Sequence, residues 1–441
     1  MHYLSTETNI SLTKIQKEAI GLLSIGTFLE YFDLMLYIHM AVLLNELFFP
    51  KADPHTAALF SAMAFCSTYL LRPFGALIFG WIGDNIGRKN TVVITTLLMS
   101  VSCIVMANLP TYAEVGMTAT CIVTICRMIQ GMTSMGEVVG AELYLTEITK
   151  PPIQYPAVTL VALCCILGGT VALGVASLVT SYGLNWRLAF WVGAGIALVG
   201  AIARTALKET TEFVNAKRQI NMILQSDNAN KNKIISNHPI YNIRTSKKTI
   251  IAIFLIHCAY PVCFYFTYVH CGNILKTTFN YSAVQVIHQN FIVSMVALLG
   301  CAAVAFLSYY INPIKILKVK LCIFLGMVIM TPYLFNKITE PFYFTLIQSL
   351  FGLLLLYHAP ATSLLYKHIP ILKRFMCGGL TYAMSRTIMH LITSFGLVYL
   401  TKYLGHYGLL IIIIPIVLGF AFGVYHIDEL EKEYIHSAAS Y

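Results

Sequence analysis

Gly21-Leu-Leu-Ser-Ile-Gly26-Thr-Phe-Leu-Glu30-Tyr-Phe-Asp33-Leu-Met-Leu-Tyr37 places two carboxylates in the middle of an apolar run. A helix crosses hydrocarbon in about twenty apolar residues. A carboxylate at that depth normally persists only where it faces protein or a water-filled path. The run belongs to a span over 20–44. Others of the same kind follow at 56–82, 91–109, 117–143, 157–180, 188–207, 249–272, 284–311, 319–336, 341–361, 376–400 and 406–426. They are too long and too continuous for barrel strands, and backbone amides in lipid must be bonded internally. The chain therefore reads as all-α, a polytopic membrane protein of twelve transmembrane helices in two six-helix bundles.

Composition agrees. Of the 441 residues 58% are hydrophobic and 11% charged, whereas soluble domains carry about one quarter charged residues. The net charge of +10 does not point to nucleic acid, because its distribution is lopsided. Twenty of the 29 Lys and Arg fall at the termini and in the loops after even-numbered spans. Five (Lys51, Arg187, Lys276, Lys337 and Lys402) fall on the other side, and Arg72, Arg127, Arg204 and Arg386 lie near or inside spans. Positive charge accumulates on the cytoplasmic side, so both termini are expected inside, with the basic loops against anionic lipid. Met1 to Lys17 is polar and precedes a full-length apolar run, unlike a cleaved leader. The twelve cysteines are scattered through the helices without zinc-like spacing and read as small packing residues. No metal, no cofactor and no catalytic nucleophile–base pair is expected, so the chain does not read as an enzyme.

The long polar break lies at 208–248, rich in Lys, Asn and Ser, and reads as a cytoplasmic linker, partly helical or disordered, with a loose surface-lying segment favoured. It divides the chain into a bundle over 1–207 and a bundle with a short tail over 249–441. Paired six-helix halves of this kind enclose a site near the bilayer midplane.

Gly26, Glu30, Asp33 and Tyr37, spaced four, three and four apart, share one helical stripe. Neighbouring carboxylates in low dielectric favour a proton on one of them; the alternative is an acid locked to an arginine. His39 faces elsewhere. Arg127, Gln130, Ser134 and Glu137 form a second polar face. Arg127 and Glu137 stand about 15 Å apart along the axis, so each must find its partner on another helix, with Glu30, Asp33 and Arg72 as candidates. Glu142, nearer the cytoplasmic end, reads as a cap or surface pair. Gly379, Tyr382, Arg386, His390 and Thr393 make a polar stripe suited to a carboxylate ligand, or else to an arginine tied to backbone carbonyls. His257, Tyr260, Phe264, Tyr265 and Tyr268 around Pro261 offer aromatic faces for a quaternary ammonium, or ordinary packing. Between spans two and three, Gly80-Trp-Ile-Gly83-Asp84-Asn-Ile-Gly87-Arg88-Lys89 reads as a tight turn. Its Asp84 can accept helix N-terminal amides and act as a latch.

The segment Gly80 to Lys89 and the stretch Arg127 to Gly131 resemble the loop and helix-four signatures of the major facilitator superfamily. Phe28 to Asp33, Leu71-Arg72-Pro73-Phe74-Gly75, Gly131 to Glu137, Trp186 to Phe190 and Lys208 to Phe213 are similar to its bacterial metabolite–proton symporters of the proline/betaine type. Tyr31-Phe32 replaces the family's Trp-Tyr, and Asn85 stands where the loop signature has arginine. The resemblance implies a proton-coupled importer of a small zwitterion, working by alternating access in a bacterial inner membrane. Its substrate and proton positions map onto Glu30, Asp33, Arg72, Arg127 and Glu137. A symporter of small carboxylates and a non-transporting membrane sensor remain as alternatives. The expected partners are a small-molecule substrate, protons and lipid, with the chain a monomer.

Overall fold

In the computed structural model residues 12–50, 68–182, 185–226 and 246–439 are described. They form helices and turns, with no strand among them. The first bundle holds α1 (Lys14–Phe48), α2 (Arg72–Asn85), α3 (Arg88–Asn108), α4 (Met117–Ile148), α5 (Gln154–Tyr182) and α6 (Arg187–Arg204). The second holds α7 (Lys247–Phe264), α8 (Ala283–Tyr310), α9 (Pro313–Lys337), α10 (Pro341–Leu353), α11 (Arg374–Leu404) and α12 (Gly408–Ala439). The expected span 56–82 lies partly outside the described residues.

Local chemistry sets the starts. Proline stands in the first turn of α2, α9 and α10, where its missing N–H costs nothing. Asn312 caps α9 by accepting from the Ile314 amide at 2.9 Å, and Ser282 with Gln285 forms a capping box on α8. Outer faces are strongly apolar: Leu299, Phe306, Val199 and Phe342 are all at least 66% exposed. In water such faces would aggregate; in lipid they are solvated. Among the described residues, six helices are each long and apolar enough to cross a membrane.

The structure departs from the sequence reading in four places. The tenth span does not run to 361. Helix α10 stops at Leu353, residues 355–358 are non-helical, and a short helix Thr362–Lys367 follows. Pro360 disfavours helical geometry just before it, and the freed carbonyl of Leu355 accepts from Lys320 Nζ at 2.7 Å. Lys320 is thus a helical residue pinning this break, not a cytoplasmic loop charge. Helix α7 does not end at 272. After Pro261 it widens into a π-turn over Tyr265–His270 and continues as Cys271–Thr278, an adjustment that frees backbone near a proline. The linker begins as a helix, Thr211–Ser226, rather than a loose segment; residues 227–245 lie outside the described set.

The two bundles meet along α2 against α11 and α5 against α8. Thr170 on α5 and Ser294 on α8 share a hydrogen bond of 2.5 Å.

A candidate central site and its gate

Helix α1 turns Glu30 and Asp33 inward, both nearly fully buried. Their surroundings differ. The charges that face Glu30 are Glu137, Arg72, Arg204 and Arg386, whereas Asp33 faces Arg127. Its Oδ2 accepts from Cys103 Sγ at 2.7 Å. Gln130 Nε2 approaches the same sulfur at 3.7 Å, and Arg127 Nη1 donates to Gln130 Oε1 at 2.8 Å. A polar chain therefore runs from α4 through α3 to α1. The sequence reading missed Cys103 because a cysteine in an apolar run carries no periodic signal.

Glu137 finds its partner in Arg204, which also reaches Thr96. Thr95 adds a donor at 2.9 Å, and Thr96 bonds the same carboxylate. The partner expected from Glu30, Asp33 or Arg72 is thus supplied by α6. Gly26 explains why a guanidinium fits: a Cβ there would lie 1.4 Å from Arg204 Nη2. Gly26 on the acid stripe of α1 is a slot for Arg204. The substrate or proton role expected of Glu137 meets a carboxylate already saturated by protein donors.

Arg72 stacks on Tyr69, 4.5 Å from its ring centroid. Tyr69 in turn lies 4.1 Å from the His390 ring, so Arg72 and His390 share one cluster between the bundles. Arg386 stands 3.4 Å from the Tyr382 centroid and 5.4 Å from that of Tyr260. Its Nη1 and Nη2 are buried and have no acceptor among the described residues. The expected alternative, an arginine tied to backbone carbonyls, is not what these contacts show. Tyr382 meets Tyr31 of the first bundle, hydroxyl to hydroxyl at 3.3 Å. Near Tyr260 a small crevice of about 30 Å³ lies between the bundles, lined among others by Tyr31, Tyr260, Phe264, Tyr268 and Ser294. Tyr260, Phe264 and Tyr268 are four apart, and consecutive ring centroids lie 6.1 and 5.0 Å apart. Tyr265 and His257, on other faces of α7, do not line the crevice. The side chains of Tyr37 and His39 lie outside the described residues.

At one end the crevice is closed. Asp84 accepts from the amides of Phe375 and Met376 at 3.1 and 2.9 Å, capping the start of α11 across the bundle boundary. Arg88 bonds Asp84 at 2.9 Å and Glu147 at 3.3 Å, and donates to the Ile371 carbonyl at 2.7 Å. Burial pushes the Asp84 carboxyl up to about 6, against the pull of Arg88. Gly87 has φ +148°, and a Cβ there would meet Glu209 Oε2 at 2.1 Å. Glu209 in turn accepts from the amides of Arg88 and Lys89 at 3.0 and 3.2 Å. The turn thus knits together α2, α3, α11 and the linker helix, whose Phe213 lies under Arg88 at 4.9 Å. Gly80 and Gly83 face Met376 and Phe375 at the same contact. Asn85 takes no charged role; its carbonyl accepts from Lys217 Nζ at 2.9 Å.

Asp84→Asn removes a charge-assisted acceptor, worth about 1.5 kcal/mol or more, so the latch should open about tenfold more often. Cys377, half-buried beside it, reports this through its maleimide labelling rate, read by mass spectrometry. An unchanged rate would show that Asp84 does not hold the gate.

Two bundles of helices with strongly apolar outer faces, joined by a latch at one end, are the architecture of a polytopic membrane protein. The family model of the Major Facilitator Superfamily matches residues 23–374, and the chain belongs to that superfamily. The proline/betaine transporter of Salmonella typhimurium is 30% identical over 204 residues, 45% of this chain and 41% of the relative. A putative metabolite transport protein of Haemophilus influenzae is 35% identical over 203 residues, 44% of this chain and 45% of the relative. These matches span less than half the length of either relative. Among solved structures, the proton:xylose symporter XylE superposes with a TM-score of 0.72 at 12% identity, covering 95% of both chains. The human organic anion transporter MFSD10 superposes with a TM-score of 0.64 at 12% identity, covering 93% of this chain and 99% of that one. Both share the fold.

Proposed function

We propose that this transporter imports a small zwitterion of the proline or glycine betaine type, driven by protons, by rocking of the bundles 1–207 and 249–441 in a bacterial inner membrane. Both termini would lie in the cytoplasm, with the latch at Asp84 on that side. The observation that carries the reading is the buried guanidinium of Arg386, whose two terminal nitrogens have no acceptor among the described residues, close to Tyr260 of the aromatic crevice. A carboxylate on Arg386 gains charge-assisted hydrogen bonds. An ammonium among Tyr260, Phe264 and Tyr268 gains about 0.5–2 kcal/mol of cation–π attraction. One ligand with both ends satisfies both features.

A small dicarboxylate is the second reading. Arg72 supports it, because Nε and Nη2 of its guanidinium are also without acceptors among the described residues. Uptake of labelled glycine betaine and of labelled 2-oxoglutarate into proteoliposomes, with and without a pH gradient, separates the two. Accumulation of neither, or accumulation indifferent to protons, would reject the proton-coupled reading.

Asp33 is assigned a proton step, since Cys103, Gln130 and Arg127 connect it to α4 and its Oδ1 has no hydrogen-bond partner among the described residues. Asp33→Asn should keep substrate exchange and lose accumulation driven by a pH gradient. Full accumulation by the variant would remove Asp33 from that role.

A further inference from the structure

Helix α4 carries a second buried acid that the site above leaves unused. Glu142 is fully buried, although its sequence position reads as a surface cap. Its Oε2 accepts from the Tyr366 hydroxyl at 3.1 Å, and Tyr366 belongs to the short helix Thr362–Lys367 of the opposite bundle. Oε1 makes no hydrogen bond of ordinary geometry among the described residues, although the Tyr357 hydroxyl approaches the carboxylate as a second donor. The groups that face it are Tyr357 and Arg386, Tyr382 of α11 and Cys165 of α5. Glu142 thus differs from Glu137, whose oxygens are held by Arg204, Thr95 and Thr96.

Position gives it a direction. Glu142 lies about 7.5 Å along α4 from Glu147, and Glu147 bonds Arg88 and Arg374 in the gate. Glu142 therefore sits between Arg386 and the latched mouth. Arg386 faces both Glu30 and Glu142. Glu30 also faces Arg72 and Arg204, whereas Arg386 is the cation that faces Glu142; it cannot balance both that carboxylate and a substrate carboxylate, and an uncompensated buried charge is expensive. Substrate bound at Arg386 therefore favours a proton on Glu142, and by linkage a proton there favours substrate.

We propose that Glu142 is a second proton-carrying residue of the transport cycle, on the gate side of Arg386. It takes up a proton when a substrate carboxylate occupies Arg386. It releases that proton to cytoplasmic water when the bundles part and the Tyr366 contact breaks. Only an O–H bond forms and breaks, and the proton that enters with substrate is the one that leaves. The inference rests on the proton-coupled reading above.

Glutamine at 142 keeps an acceptor for Tyr366 but cannot carry the proton. In proteoliposomes with labelled glycine betaine, Glu142→Gln should retain counterflow exchange within about threefold. Its accumulation ratio under a one-unit pH gradient should fall by about tenfold, the drive that one coupled proton supplies. Glu142→Asp should restore part of that accumulation, and Tyr366→Phe should keep coupling. Full accumulation by Glu142→Gln overturns the proposal. So does loss of exchange as complete as the loss of accumulation, which marks a purely structural residue. A wild-type protein that exchanges betaine but ignores the pH gradient overturns the coupled reading itself, and the role of Glu142 with it.

Discussion

Arg386→Met should abolish uptake while costing the fold far less than the loss of a hydrogen-bonded ion pair would. The guanidinium is buried and its two terminal nitrogens have no acceptor among the described residues. A charge in that state is a cost to folding, and an apolar side chain of similar length removes the cost. The same substitution removes the counter-charge offered to a substrate carboxylate. Losing one partner of a desolvated, hydrogen-bonded charge pair costs about 2–5 kcal/mol, which weakens binding by roughly thirtyfold to several-thousandfold. Arg386→Lys keeps the charge but loses the planar fork and its stacking on Tyr382, so it should bind more weakly than wild type and better than Arg386→Met. Ligand affinity and thermal stability in detergent, measured together, check the prediction. Unchanged affinity in Arg386→Met would remove this arginine from the site. A large fall in stability would show that it serves the bundle instead.

Arg204→Met has the opposite signature. Arg204 and Glu137 form an ion pair with both side chains at most 2% exposed. Removing the arginine strands a carboxylate in the interior of the first bundle, a loss of about 3–5 kcal/mol. Stability should fall sharply, and transport should fall with it. The double variant Arg204→Met with Glu137→Gln should recover much of the loss, because no uncompensated charge remains. Gly26→Val should resemble the single arginine variant, since a Cβ at 26 occupies the guanidinium slot. Thermal unfolding of the purified variants tests the set. If Arg204→Met were as stable as wild type, the pair would be no structural clamp, and a proton role for Glu137 would return. The two arginines differ only in whether the protein supplies an acceptor, and that difference decides which measurement moves.

Several features of this site were legible before any coordinates. The glycine-rich turn read as a latch because Asp84 precedes a helix start and sits among glycines and basic residues; in the structure it caps α11. His257, Tyr260, Phe264, Tyr265 and Tyr268 read as an aromatic cluster around Pro261; Tyr260, Phe264 and Tyr268 line the crevice and His257 and Tyr265 do not. The acid stripe of α1 read as two neighbouring carboxylates, or as an acid paired with an arginine; in the structure both acids are buried, with different neighbours. A helix fixes the angle between Glu30 and Asp33, yet the partner of each depends on neighbouring helices. Glu142 read as peripheral because it lies near the end of a hydropathic run, and hydropathy carries no information about what packs over that end. The break after Leu353 escaped notice because residues 354–361 are as apolar as a helix, and Pro360 alone marked it.

What the sequence determined by itself was the set of membrane-crossing helices and the face each acid, arginine and ring occupies. Those follow from the cost of bare backbone and bare charge in hydrocarbon and from a fixed helical period, both local properties of the chain. The tertiary structure alone decided the pairings: Arg204 with Glu137, Cys103 with Asp33, Asp84 with the start of α11, and Arg386 with no acceptor for its terminal nitrogens among the described residues. Those depend on which helices stand side by side, through contacts between residues tens to hundreds of positions apart, and no periodicity within one helix encodes its neighbour.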